Sequence, residues 1–232
     1  MLKITIPNNN IAERKYILDI IFDEFLGLEY KVEARRDKGE GDWEIELENG
    51  SKIIFEDHFF NKYLKELEYL KLENIPSKVE FAQNQFIVEN NIPVIYGNSK
   101  LEIKDQKLKT IICGIDIFAS SFFMLTRWEE YLNKARDKHD RFPATESLAY
   151  KNGFLDRPIV NEYVDMLKSM LLHLGLNQKT KERNYELYVS CDVDQPYDCT
   201  VENIQNLARV GAGDLLKRKS IKEFAKRVRR YI

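Results

Sequence analysis

Between Asn177 and Asn184 the chain reads NQKTKERN, a stretch without one apolar side chain. Nothing in it gains from burial, so no hydrophobic core can run through it, and it marks a domain boundary. The chain therefore divides into a first part, residues 1–178, and a second part, residues 185–232. The first part is long enough to close a core of its own. Hydrophobic residues make up 44% of the chain, with 13 Phe and 12 Tyr, which excludes a wholly disordered polymer.

Periodicity predicts mixed α and β structure in the first part. Met1–Pro7 alternates like a strand, and a further strand is expected at Leu28–Glu33. Asn10–Leu26 reads as a helix, with Ile17, Ile20, Ile21 and Phe25 on one face. Asn10 and Glu13 have the spacing of a capping box, and Gly27 can end the helix left-handed. Trp43–Glu48 and Ser51–Phe55 read as a hairpin across Asn49-Gly50, a dipeptide suited to a type I′ turn. Phe59–Leu72 is predicted helical, Phe86–Val88 and Pro93–Tyr96 short buried strands, and Leu101–Ile103 with Leu108–Cys113 a second hairpin. One long helix is expected at Asp116–Lys134, a polar connection at His139–Pro158, and a helix at Ile159–Leu174.

Charge and cysteine content narrow the class further. Residues 217–232 hold eight basic side chains against Glu223, so the rest of this chain of net charge -2 is acidic and does not attract nucleic acid by its overall field. No apolar run reaches the roughly 18–20 residues of a membrane helix, and the start does not read as a signal peptide. A cytoplasmic location is expected. Cys113, Cys191 and Cys199 are odd in number and widely spaced, so they read as reduced, buried structural thiols.

Chemistry is concentrated after the boundary. Tyr185–Cys191 (YELYVSC) reads as a strand, followed by Asp192-Val193-Asp194. A strand ending in acids places carboxylates at the carboxyl edge of a sheet, where α/β folds put their sites. Asp192 and Asp194 are two apart, so on an extended backbone both point to one face. Two such acids bind a divalent metal or divide into a base and a ligand. By itself Asp-x-Asp also suits a metal-dependent glycosyltransferase. Helices are expected at Val201–Val210 and Ser220–Tyr231. In the latter, Ile221, Phe224, Val228 and Ile232 share a face, which reads as a barrel helix ahead of an anionic-membrane or nucleic-acid contact.

Two long blocks set the context: FFMLTRWEEY (Phe122–Tyr131) and DKHDRFPATESLAYKNGFLDRPIVNEY (Asp137–Tyr163). With the later CDVD strand end, their order resembles a family of bacterial polysaccharide-deacetylase-like proteins with an N-terminal domain of unknown function. The resemblance runs from Ile11 to Pro196. It implies an α/β chain: an α+β domain over residues 1–178, then the first β/α units of a deacetylase-type barrel from residue 185. It further implies a hydrolase that removes N-acetyl groups from a polysaccharide or glycan precursor with zinc or a similar divalent metal. By this likeness Asp192 is the candidate base and Asp194 the candidate metal ligand, although Val193 separates acids that are adjacent in the usual pattern.

The histidines that would complete such a metal site do not follow the acids. His58, His139 and His173 all precede them, and the chain reads as truncated early in the catalytic domain, so it is expected to be inactive alone. Arg127, His139, Arg141 and Arg157 are candidate substrate-binding residues, because guanidinium groups fork onto carboxylates or phosphates. Ordinary ion pairing is the competing reading: Arg127 to Glu130 on the helix, and Arg141 and Arg157 to Glu129, Asp137 or Asp156. A non-catalytic module that binds glycan or a partner protein is the alternative function.

Overall fold

A computed structural model describes residues 1–35, 40–105, 107–182, 184, 186–192 and 203–231. The chain falls into two compact units, Met1–Glu182 and Arg183–Ile232.

The first unit is an α/β unit built on an open sheet of six strands in the order β2-β1-β3-β4-β8-β7. They are β1 Leu2–Ile6, β2 Tyr30–Ala34, β3 Trp43–Glu46, β4 Lys52–Phe55, β7 Gly97–Asp105 and β8 Lys109–Ile115. β1 and β2 are parallel, as are β4 and β8, while β3 and β7 run antiparallel to their neighbours. A separate two-stranded sheet pairs β5 (Glu80–Ala82) with β6 (Ile92–Val94). The strand alternation has a clear physical sense. Leu2, Ile4 and Ile6, Trp43 and Ile45, and Ile53 and Phe55 are buried. Between them Lys3, Glu44, Glu46 and Lys52 stay partly exposed and pair across strands, Lys52 Nζ with Glu46 at 3.3 Å and Lys3 with Glu33 at 3.0 Å.

The apolar side chains of the sheet pack with helices. α1 (Ile11–Leu18) continues as a π-helical segment, Asp19–Leu26, ended by Gly27 at φ 63°. α2 (Ile117–Thr126) is capped by the Asp116 carboxylate, which accepts from Ala119 N at 3.0 Å. α3 (Trp128–Leu132) and α4 (Leu148–Lys151) are short, and α5 (Ile159–His173) buries Tyr163, Met166, Leu167 and Met170. Phe118 on α2 is the hub of the core: its ring lies 4.6 Å from Trp43, 5.3 Å from Phe55 and 6.4 Å from Phe22.

Several local expectations are corrected. Asn10 adopts φ 44° and makes no cap bond; its amide donates to Tyr63 O at 2.6 Å, so the capping box gives way to a long-range tie. The hairpin loop is Glu48-Asn49-Gly50, closed by Leu47 N to Ser51 O at 2.9 Å, and Gly50 at φ 80° is its left-handed residue. That is a three-residue loop with a bulge rather than a type I′ turn. Phe59–Leu72 is not a continuous helix: Phe60–Lys62 makes one 3-10 turn, a second begins at Leu72, and Leu67 has φ 58°. The Asp57 carboxylate takes the amides of Phe59 and Asn61, each at 3.2 Å, while Phe59, Phe60 and Tyr69 are drawn into the core. Phe86–Val88 is a turn, set by Asn84 Oδ1 accepting from Phe86 N at 2.9 Å. The long helix at 116–134 is broken at Arg127, which has φ 52°.

In the second unit, Glu186–Asp192 lies in no strand and is exposed, contrary to the strand expected there. Apolar Leu187, Tyr188 and Val189 find no partner strand among the described residues, and a β-segment is stable only when paired. Cys113 is buried as expected, but Cys191 is exposed; Cys199 lies outside the described residues. α6 (Ile204–Leu216) and α7 (Ile221–Tyr231) pack together, with buried Asp214 bonded to Arg227 Nε at 2.6 Å and Arg218 at 3.1 Å. An open sheet and a helix pair are present; no closed barrel is formed among the described residues. No described helix is long and apolar enough to cross a membrane.

Candidate functional site

β1, β2, β4 and β8 all run in one direction, so their carboxyl ends share an edge of the sheet. That edge is where open α/β sheets place ligand sites. It gathers Asn9 and Asn10 after β1, Glu56, Asp57 and His58 after β4, Asp116 after β8, and Asp42 just before the antiparallel β3. The sequence signal was available: KIIFED and IICGID are apolar strands ending in acids, the pattern sought at Asp192.

Arg14 is the centre of this edge and is fully buried. Its Nη2 meets Asp57 Oδ2 at 2.5 Å and Asn9 Oδ1 at 2.6 Å, and its Nε meets Asn9 O at 2.9 Å. The guanidinium also lies over Trp43 (4.5 Å) and Phe60 (4.9 Å), whose ring faces favour a cation. Asp116 accepts from Ala119 N and from His58 N, both at 3.0 Å. Asp57 is the carboxylate partner of the Arg14 guanidinium, while Asp116 is held by backbone amides. Burial, reinforced by the Asp57 charge, pushes the Asp116 carboxyl up to about 8, far above the ordinary carboxylate range.

This has a measurable consequence. Well below pH 3.8 Asp116 is protonated in both folded and unfolded chains, and its contribution is neutral. As pH rises from the unfolded value of 3.8 toward 8, the unfolded chain ionises while the folded one keeps its proton, so stability falls. Asp116→Asn removes that titration. The variant is expected to gain on the parent by several kcal/mol, at most about 4, between pH 4.5 and pH 8. Denaturant midpoints at the two pH values check it; a gap independent of pH would defeat it.

The residues expected to bind substrate lie elsewhere. Arg127, at a left-handed turn between α2 and α3, points 68% of its side chain to solvent and pairs with Glu130. It lines a cleft of about 230 Å³ with Phe123, Met124, Glu129, Phe142 and Leu155. Burial raises the Glu129 carboxyl, which accepts from Leu148 N at 3.0 Å. Arg141 is pinned to Asp137 at 3.0 Å, and the same carboxylate accepts from His139 N at 2.8 Å, so this turn is held by its own acid. Arg157 bonds Glu162 Oε2 and Asn91 O, each at 2.6 Å, anchoring the start of α5. Of the four, only Arg127 lines the cleft. Asp192 is exposed and lies in no helix or strand, and Asp194 lies outside the described residues. No three metal-ligating side chains converge among the described residues, so those present do not make a centre for a zinc-like ion.

The fold and this edge define an α/β protein with an open mixed sheet and a pre-paired polar network at its carboxyl edge. The chain belongs to DUF7033, a family of unknown function, which matches residues 2–175. No curated protein and no solved structure shows significant similarity to it.

Proposed function

We propose that this chain belongs to a metal-dependent carbohydrate deacetylase, in which the unit Met1–Glu182 recognises glycan and Asp192 and Asp194 belong to the catalytic part. One observation carries the reading. The two sequence blocks behind the deacetylase resemblance, Phe122–Tyr131 and Asp137–Tyr163, fold into the walls of a single cleft. Its lining combines apolar Phe123, Met124, Phe142 and Leu155 with charged Arg127, Glu129 and Glu130. Apolar surface for the C–H face of a sugar beside carboxylates and a guanidinium for its hydroxyls and amide is a carbohydrate-binding chemistry. Arg127 ends α2 in a left-handed conformation, uncommon for a non-glycine residue.

The test is calorimetric titration of the chain with a soluble N-acetylated oligosaccharide. Binding is expected, and Phe142→Ala should weaken it by about tenfold, ~1.4 kcal/mol. Absence of binding, or binding indifferent to both Phe142→Ala and Glu130→Gln, would remove the support for this reading.

A further inference from the structure

A second cavity, of about 300 Å³, opens where the chain leaves β4, and nothing in the preceding reading uses it. Its polar lining comes from His58, Lys62, Glu73 and Asn74, and its aromatic lining from Tyr63 and Tyr96. Phe59 lies beneath them, its ring 5.2 Å from Tyr63 and 4.5 Å from Tyr96, so the aromatic wall is braced by the core. Tyr96 is tied further by its hydroxyl, which donates to Asn74 O at 3.4 Å.

His58 is the most constrained group at this cavity. Its amide is held by the buried Asp116 carboxylate at 3.0 Å. Its Nε2 lies 3.1 Å from Glu56 Oε2, and Glu56 is in turn gripped by Lys100 Nζ at 2.6 Å. Asn98 Nδ2 lies 3.3 Å from the same imidazole nitrogen and 3.5 Å from Glu56 Oε2. One nitrogen cannot both donate to the carboxylate and accept from the amide. The carboxylate is the stronger partner, so Nε2 carries the proton and donates to Glu56. That tautomer leaves Nδ1 as an acceptor. An imidazole held by a carboxylate at one nitrogen, with the other in accepting form, can accept a hydrogen bond from a ligand hydroxyl.

Charge decides the ligand class. Lys62 and Glu73 line the cavity with opposite charges, and burial, then the fields of Glu73 and Glu68, raises the Tyr63 phenol. Lys100 is already engaged by Glu56. The cavity therefore offers no net positive field for an anion. Its volume stands at the lower end of small-molecule pockets, about 300–1,000 Å³. We propose that the cavity between His58, Tyr63 and Tyr96 binds a small neutral polyhydroxylated molecule of the size of one sugar residue, stacked on the tyrosines and hydrogen-bonded through His58. This site is separate from the Arg127 cleft, and it stands or falls independently of the deacetylase reading.

The experiment is two-dimensional amide NMR of the full chain titrated with methyl glucoside, N-acetylglucosamine and, as the anionic alternative, inorganic phosphate. The expected result is saturable shifts at His58, Tyr63 and Asn74 with at least one of the two sugars and none there with phosphate. His58→Ala and Tyr63→Ala should each weaken sugar binding by about tenfold, with thermal melts close to the parent, because both side chains are partly exposed. Phe142→Ala, in the other cleft, should leave these shifts unchanged. Shifts confined to the Arg127 cleft would overturn the proposal. So would phosphate saturating this cavity, no response to either sugar, or His58→Ala and Tyr63→Ala proteins that bind like the parent.

Discussion

Asp57→Ala is expected to destabilise the Met1–Glu182 unit by about 3–5 kcal/mol, the usual cost of leaving a buried charge without its partner. Arg14 is fully buried, and Asp57 Oδ2 at 2.5 Å is its carboxylate partner there. Removing that carboxylate also strips the acceptor from Phe59 N and Asn61 N, which opens the segment that closes over the core. Against a total stability of about 5–15 kcal/mol, the loss leaves the unit marginal. Chemical denaturation followed by tryptophan fluorescence measures it directly, because Trp43 lies under Arg14. Asp57→Asn keeps an acceptor and should lose less, while Arg14→Ala should lose as much. A loss below 1 kcal/mol for Asp57→Ala would show that the pair is not the organiser of this edge.

Phe118→Ala is expected to cost about 3–5 kcal/mol through lost transfer energy and the cavity left behind. Phe118 is wholly buried, and its ring contacts Trp43, Phe55 and Phe22, drawn from two strands and the π-helical segment. Those elements cannot all collapse into the space, since each is fixed by its own hydrogen bonds. The measured loss should sit in the same denaturation curve, with a tryptophan spectrum shifted toward solvent exposure. Combining Phe118→Ala with Asp57→Ala should be non-additive, because Trp43 touches both Phe118 and Arg14. Strict additivity would mean that the sheet edge and the core below it are energetically separate.

These two sites differ in how far they can be read from sequence. Phe118 belongs to an apolar helix whose existence periodicity predicts. The Asp57 partnership joins residues 43 apart, and no local pattern announces it. The rule that acids follow apolar strands was sound. Asp192 follows an exposed segment without regular structure, whereas at Asp57 and Asp116 the sheet provides the edge. The candidate arginines show the same division. Arg127 lines a cleft, while Arg141 and Arg157 are occupied by Asp137 and Glu162, and composition alone does not distinguish these fates.

The chain by itself determined its local order. The β1 alternation, the glycine stop after Leu26, the second hairpin, the α5 stripe and the polar break near residue 180 all follow from backbone preference and side-chain period over a few residues. Tertiary structure decided which of the remaining segments took regular form. Phe59–Leu72 gave up its helix so that three aromatic rings could be buried, and Arg127 broke a long helix in two. Arg14 and Asp57 became a buried ion pair, under the electrostatic influence of buried Asp116, only when β1, β4 and β8 were brought into one sheet. The reason is physical. Burial and charge pairing act between residues distant along the chain, and where they outweigh local preference by a few kcal/mol they set the outcome.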